Sequence, residues 1–341
     1  MVNTVEYAVS KGFNKNIFIE RDEAGVDEYD VSKFGMEFFP GNEILVPGAP
    51  DVPPTPVSGP YLIFSSAEPF SISTNYKHKS WNGTIEYSTD AENWTEWNGT
   101  EVNSSEDRKL YFRGSNNTII TLYYPEDDIY NPWVLNGDGI SCIGNIENLL
   151  DYQTVANGEH PQMETACYKD MFKNCTSLTI APELPATTLT RSCYNDMFYG
   201  CTSLTIAPEL SATTLAEYCY IGMFQGCASL TTPPTLPATT LAYQCYSGMF
   251  LGCTSLTTIP ELPATVLTGS CYHQMFYGCT SLKLSETPTA DYTTPYRIPK
   301  EGTGIDATYA LLQMFENTGG TFTGTPTINT TYYLHKDNSI V

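Results

Sequence analysis

The sequence predicts a mainly β chain in which an extended N-terminal arm precedes a small β-sandwich and a C-terminal α/β solenoid. Three observations carry that expectation. Residues 167–279 repeat with a period of 26, holding Cys, Tyr, Met, Phe and Leu at fixed slots, and a constant period in the twenties marks stacked units that cannot bury an apolar face alone. Residues 61–124 alternate apolar and polar side chains with period two between turn formers, the pattern of half-buried strands. Residues 47–60 are crowded with proline, as in Val52-Pro-Pro-Thr-Pro-Val57, which enforces an extended, semi-rigid spacer.

Residues 1–46 are too few and too polar for a core of their own. They carry short apolar runs, Asn16-Ile-Phe-Ile-Glu20 and Gly35-Met-Glu-Phe-Phe39, among many acids. Such a segment reads as an anchoring or oligomerisation arm whose strand edges pair with a partner or with copies of themselves. The candidate anchor residues are Tyr7, Phe13, Ile17, Phe18, Ile19, Phe34, Phe38 and Phe39. A homo-oligomer follows from that reading, and a trimer would suit a fibre. Residues 47–60 form the Pro-rich linker.

Within 61–124, six strands are expected: 61–64, 70–73, 84–88, 94–97, 109–113 and 118–122. Trp81-Asn-Gly-Thr84, Trp97-Asn-Gly-Thr100 and Gly114-Ser-Asn-Asn117 supply turns between them. Ser88-Thr-Asp-Ala-Glu-Asn-Trp94 resembles the Asp-box hairpin of carbohydrate-associated β-proteins, without its glycine. It reads as a hairpin turn with a packing tryptophan; the alternative is a sugar-stacking role for Trp81, Trp94 or Trp97. Residues 125–166 carry the repeat pattern only by half, as a cap closing the N-terminal end of a solenoid would. Residues 167–290 hold the five repeats, and residues 291–341 a C-terminal cap and tail, where the pattern returns as Met314-Phe315 without the cysteines.

Each repeat opens Cys-Tyr-x-x-Met-Phe-x-x-Cys, at Cys167, Cys193, Cys219, Cys245 and Cys271. Tyr, Met/Phe and the second Cys at i, i+3/i+4 and i+7 predict one face of about two helical turns. Gly200, Gly226, Gly252 and Gly278 stand where that helix would stop. Thr/Ala-Ser-Leu then predicts a short strand, ended by Pro182, Pro208, Pro234 or Pro260. Ten of the eleven cysteines fall on two repeat slots. An odd count at regular phase favours free thiols, stacked as two buried ladders. Cys-x7-Cys is not a zinc spacing and His273 is the single repeat histidine, so no metal or other cofactor is expected.

This arrangement resembles the BspA-like leucine-rich repeats, with Met-Phe where the usual copy has Ala-Phe and with a longer period. The resemblance spans about residues 139–320. It implies a right-handed solenoid with a ladder of short parallel strands. Members are mostly bacterial surface proteins, and similar repeats occur on virion fibres of phages that infect gut bacteria.

A net charge of −22 argues against nucleic acid, which needs a cationic face. No run of about 18 apolar residues could span a bilayer, and the start lacks a basic segment followed by an apolar one, so no secretory export is expected. No catalytic motif stands out: the four His, at 78, 160, 273 and 335, lie in unrelated contexts. Function is therefore expected at the variable slots of the repeat. Arg191, Tyr199, Tyr218, Tyr243, Leu251, His273 and Tyr277 form the candidate binding stripe, rich in the aromatic residues of recognition surfaces; the alternative is drift at exposed positions. The function expected is a non-enzymatic phage virion surface protein, a head-fibre, decoration or tail-fibre-like component, attached by the arm to capsid or other virion proteins and presenting the solenoid to a host surface glycan or protein. The alternative is a BspA-like adhesin on a bacterial cell surface.

Overall fold

The computed structural model describes residues 59–76, 78–125 and 129–341, with Ile129 as backbone only, and the backbones of four short strands ahead of them. Two compact units divide the chain, Met1–Thr55 and Pro56–Val341. In the first, β1 (Glu20–Arg21) pairs antiparallel with β2 (Asp27–Glu28), and β3 (Glu37–Phe38) with β4 (Ile44–Leu45). Phe38 lies on β3. The other candidate anchors, Tyr7, Phe13, Ile17, Phe18, Ile19, Phe34 and Phe39, lie outside the described residues, as do residues 47–58 of the linker.

The second unit is mainly β. Its first part comprises β5 (Leu62–Ser65), β6 (Ser71–Thr74), β7 (Thr84–Ser88), β8 (Thr95–Glu96), β9 (Val102–Asn103), β10 (Lys109–Ser115), β11 (Tyr123–Tyr124), β12 (Ile129–Tyr130), β13 (Trp133–Asn136) and β14 (Ile140–Ile143). A six-stranded sheet runs β15-β14-β5-β10-β7-β8, where β15 is Leu178–Ile180, and a three-stranded sheet runs β13-β6-β9. The apolar side of one sheet meets the other at Trp133. Its ring lies 4.8 Å from Trp97, 5.1 Å from Phe112 and 6.1 Å from Phe64. Trp81 stacks on Trp97 at 5.0 Å, and all three tryptophans are buried. Trp81 and Trp97 are therefore core residues, unavailable to a sugar. Trp94 is half-buried beneath the Arg113 guanidinium, 4.0 Å from its ring.

The sheet continues beyond residue 124. β14 pairs antiparallel with β5 and parallel with β15 of the first repeat, so sandwich and repeats share one hydrogen-bonded sheet. The strand expected over 118–122 does not form. Instead Ile120 and Thr121 donate their amides to the Cys167 carbonyl, and Trp133 donates to that of Met171. Those amides serve the first coil rather than a strand partner.

In the repeats, equivalent residues 26 apart face each other in parallel, as at Ile180–Ile206, Ile206–Thr232, Leu184–Leu210 and Thr214–Thr240. Each repeat is one coil of a stack. Tyr168, Tyr194, Tyr220, Tyr246 and Tyr272 form one column of near-parallel rings, 5.5–5.8 Å apart. Phe172, Phe198, Phe224, Phe250, Phe276 and Phe315 form a second, at 5.5–5.7 Å.

The expected helix is absent. Cys167, Tyr168, Met171, Phe172 and Cys175 are all buried, a phase of four residues rather than 3.6. Backbone amides alternate along the segment. Tyr168, Asp170 and Phe172 donate to Cys193, Asn195 and Met197 of the next coil, while Lys169, Met171 and Lys173 donate three residues back. Every fourth residue takes a positive φ, as Ala166, Asp170 and Asn174 do, then Ser192, Asp196 and Gly200. An α-helix satisfies its amides internally and offers a neighbour none. Here half of them cross between coils, so the α/β expectation is corrected to a stack of turns. Among the described residues the α-helical backbone is confined to α1 (Asn148–Ala156), which is broken at Asp151 by extended backbone (φ −154°, ψ 100°) and packs on β10.

The C-terminal end is closed by β17 (Leu284–Ser285), β18 (Tyr292–Arg297) and β19 (Thr331–His335), in an antiparallel sheet ordered β17-β19-β18. β20 (Ser339–Ile340) returns to pair parallel with β16 (Thr258–Ile259) of the stack.

Candidate binding surface

The phase of four decides which side chains reach solvent. Slots Cys, Tyr, Met, Phe and Cys fill the interior, so recognition is left to the residues between them and before the first Cys. The interior is chemically quiet. Burial pushes the thiols of Cys175, Cys193, Cys227, Cys245 and Cys279 up to about 12, where a nucleophilic thiolate is scarce at neutral pH. The second-slot thiols donate across coils: Cys201 Sγ to the Phe172 carbonyl at 3.1 Å, Cys227 to Phe198 at 3.2 Å, Cys253 to Phe224 and Cys279 to Phe250 at 3.0 Å. All eleven cysteines are free and buried.

The stripe separates into two groups. Arg191, Tyr218 and Tyr243 come together before the first Cys of successive coils. Arg191 Nη1 lies 2.7 Å from Glu217 Oε2, and its guanidinium sits 4.8 Å from the centre of the Tyr218 ring. Tyr218 meets Tyr243 edge to face at 5.4 Å. Tyr199, Leu251 and Tyr277 occupy the slot before the positive-φ glycine, with the Lys173 ammonium 5.1 Å from the Tyr199 ring. Among the described residues no hydrogen bond, ion pair or ring contact links these two groups. His273 belongs to neither. It is half-buried, its Nδ1 3.4 Å from Ser247 Oγ, and desolvation lowers its pKa.

Two carboxyl groups elsewhere in the body are held away from their ordinary titration. Asp196 is held above the usual carboxylate range by burial and by the neighbouring Asp170. Glu147, whose side chain is buried, is likewise raised by burial, against a 2.8 Å contact with His160 Nδ1 that lowers it. Among the described residues no cluster of three His, Cys, Asp or Glu side chains has the arrangement to hold a metal ion.

The three most exposed large apolar residues lie outside the stripe: Val266, Ile305 and Tyr309, 54, 62 and 64% accessible. Two of them had a trace in the sequence. Val266 interrupts the Ala-Thr-Thr-Leu of earlier copies with Ala-Thr-Val-Leu, and Tyr309 stands immediately before Ala310, which takes the first Cys slot, as Tyr218 stands before Cys219. Ile305 became placeable only when the structure showed it bridged to Val266 across the insertion. No family model, curated protein or solved structure matches the chain.

Proposed function

We propose that this chain is a non-enzymatic virion surface protein whose N-terminal arm attaches it to capsid or other virion proteins, as a homo-oligomer, while its body displays a leucine-rich-repeat solenoid of BspA-like type to a host surface glycan or protein. The observation that carries the reading is the placement of the division between Thr55 and Pro56. It falls inside the proline-rich segment, so the spacer separates a short strand-pairing unit from a body with its own core. A display role is supported by the stack's fixed columns of side chains, whose rings lie on those of neighbouring coils. On this reading the protein is made in the host cytoplasm and resides on the particle.

A chain starting at Gly59 tests it. That chain should fold, give the same far-ultraviolet spectrum per residue of body, and be missing from purified particles that incorporate the full chain. Incorporation of the shortened chain at normal copy number would place the anchor in the body and overturn the assignment of the arm. The BspA-like adhesin of a bacterial cell surface makes the opposite prediction, with the full chain on the cell envelope and absent from particles.

A further inference from the structure

Gly269 lies under Tyr243, and its backbone does not demand glycine, for its φ is outside the left-handed range. A Cβ there would come 3.1–3.2 Å from the Tyr243 ring carbons. Glycine at this slot therefore makes room for the Tyr243 ring to lie across the next coil, with 43% of the residue open to solvent. Beyond that notch, Val266 pairs in parallel with Ile305, and the Ser270 amide bonds to the Thr308 carbonyl beside Tyr309. Tyr218 and Tyr309 share the same slot and the same backbone conformation, φ 59 and 58°. They stand three coils apart, steps that measure 5.7, 5.5 and 5.6 Å in the phenylalanine column.

The result is a ledge along the stack, with Tyr218 and Tyr243 on one side of the notch and Val266, Ile305 and Tyr309 on the other. Exposed threonines, Thr213, Thr214, Thr239 and Thr240, run in columns beside it. The charge of Arg191 is matched by Glu217. Asp306, next to Ile305, adds a carboxylate that disfavours an anionic ligand. On a chain of net charge −22, a strip of open rings, aliphatic side chains and hydroxyls calls for an uncharged partner that is apolar on its faces and hydroxylated at its edges.

We infer that the ledge from Tyr218 to Tyr309 binds a neutral oligosaccharide chain, with sugar faces stacked on Tyr243 and Tyr309 and sugar hydroxyls bonded to the threonine columns. The Tyr243 ring is held by Tyr218 at its edge and Gly269 beneath it, so it loses little freedom on binding. This deepens the display reading and rests on it for its biological role, though not for its chemistry.

The test titrates the full-length protein with neutral tetrasaccharides of glucose, mannose and N-acetylglucosamine, and with a sialylated tetrasaccharide, by saturation-transfer NMR and calorimetry. At least one neutral tetrasaccharide should bind saturably and better than the sialylated one. Tyr243→Ala and Tyr309→Ala should each weaken it by about tenfold, the loss typical of an anchor residue. Gly269→Val should weaken it by displacing the ring, Tyr243→Trp should retain it, and Tyr123→Ala, at an exposed ring on β11, should leave it unchanged. Melting temperatures read alongside, with Tyr243→Trp as the ring-keeping variant, separate stacking from folding. The inference is overturned if no neutral tetrasaccharide binds, if the ledge variants bind like the wild type, if the sialylated chain is preferred, or if the ledge variants lose only a host protein. Any of these, with the protein still on purified particles, leaves the display reading standing; absence from particles with ledge binding intact removes that reading alone.

Discussion

Cys201 shows how far a single residue could be read. Its repeat phase placed it in a buried ladder, and it is free and fully buried. Its donation to the Phe172 carbonyl was not legible, because that bond depends on how far one coil is offset from the next. The thiols carry a definite pH dependence. Their folded pKa is raised, from an ordinary 9.0 to about 12 for Cys227 and Cys279. The stabilisation is therefore complete below pH 9 and is lost as pH climbs towards 12, since the unfolded chain releases those protons first. The urea midpoint should hold steady up to about pH 9 and then fall, less steeply in Cys227→Ala. Alkylation at pH 8 should label almost no cysteine in the native protein and all eleven after denaturation. Rapid native labelling, or fewer than eleven thiols in denaturant, would contradict a reduced, buried ladder.

At the scale of the element, the strands of the sandwich were legible and the repeat segment was only half so. Leu62–Ser65, Thr84–Ser88 and Lys109–Ser115 form where period-two alternation puts them. The Cys-Tyr-x-x-Met-Phe-x-x-Cys segment predicts a helix because Tyr, Met/Phe and the second Cys fit 3.6 residues per turn. Including the first Cys gives a pair of core residues every four, which a helix cannot keep on one face for long. A second signal was the recurrence of Asp or Gly four residues before Asn or Gly, as at Asp170 and Asn174, Asp196 and Gly200, Gly222 and Gly226, and Gly248 and Gly252, residue types that tolerate a left-handed backbone. Gly248 distinguishes the two structures by sign. Its φ is 61°, and a Cβ there meets nothing nearer than 3.9 Å, so the backbone alone decides. In a helix, Gly248→Ala would stabilise by about 0.5–1 kcal/mol. In the turn it should cost about 1–2 kcal/mol, read as a lower urea midpoint at unchanged slope. A stabilised variant would restore the helix.

For the whole molecule, the question is how a stack ends. The sequence pointed to caps on both sides, from a half-present pattern before Cys167 and a frayed one after Cys279. It could not say what the caps contact, since residues 284–335 pair in an order unrelated to the 26-residue period. At the first coil, Phe172 lies 6.3 Å from Phe64 and 6.4 Å from Trp133, so the sandwich core runs directly into the phenylalanine column. At the last coil, Phe315 stacks on Phe276 at 5.6 Å and meets Phe322 and Tyr296 edge to face at 6.3 Å. Its amide bonds to the Gly324 carbonyl, and the Gln313 amide to Thr325 Oγ1. An end coil in a bare stack would have one neighbour, and losing its aromatic ring would cost less than losing one mid-stack. Phe315 is fully buried between coil and cap, so Phe315→Ala should cost as much as Phe198→Ala, about 3–5 kcal/mol. Urea unfolding followed by tryptophan fluorescence checks this, because Trp133 touches the same continuous column at its far end. A Phe315→Ala loss below about a third of that for Phe198→Ala would mean that the C-terminal cap opens independently. The column would then be closed at the sandwich end alone.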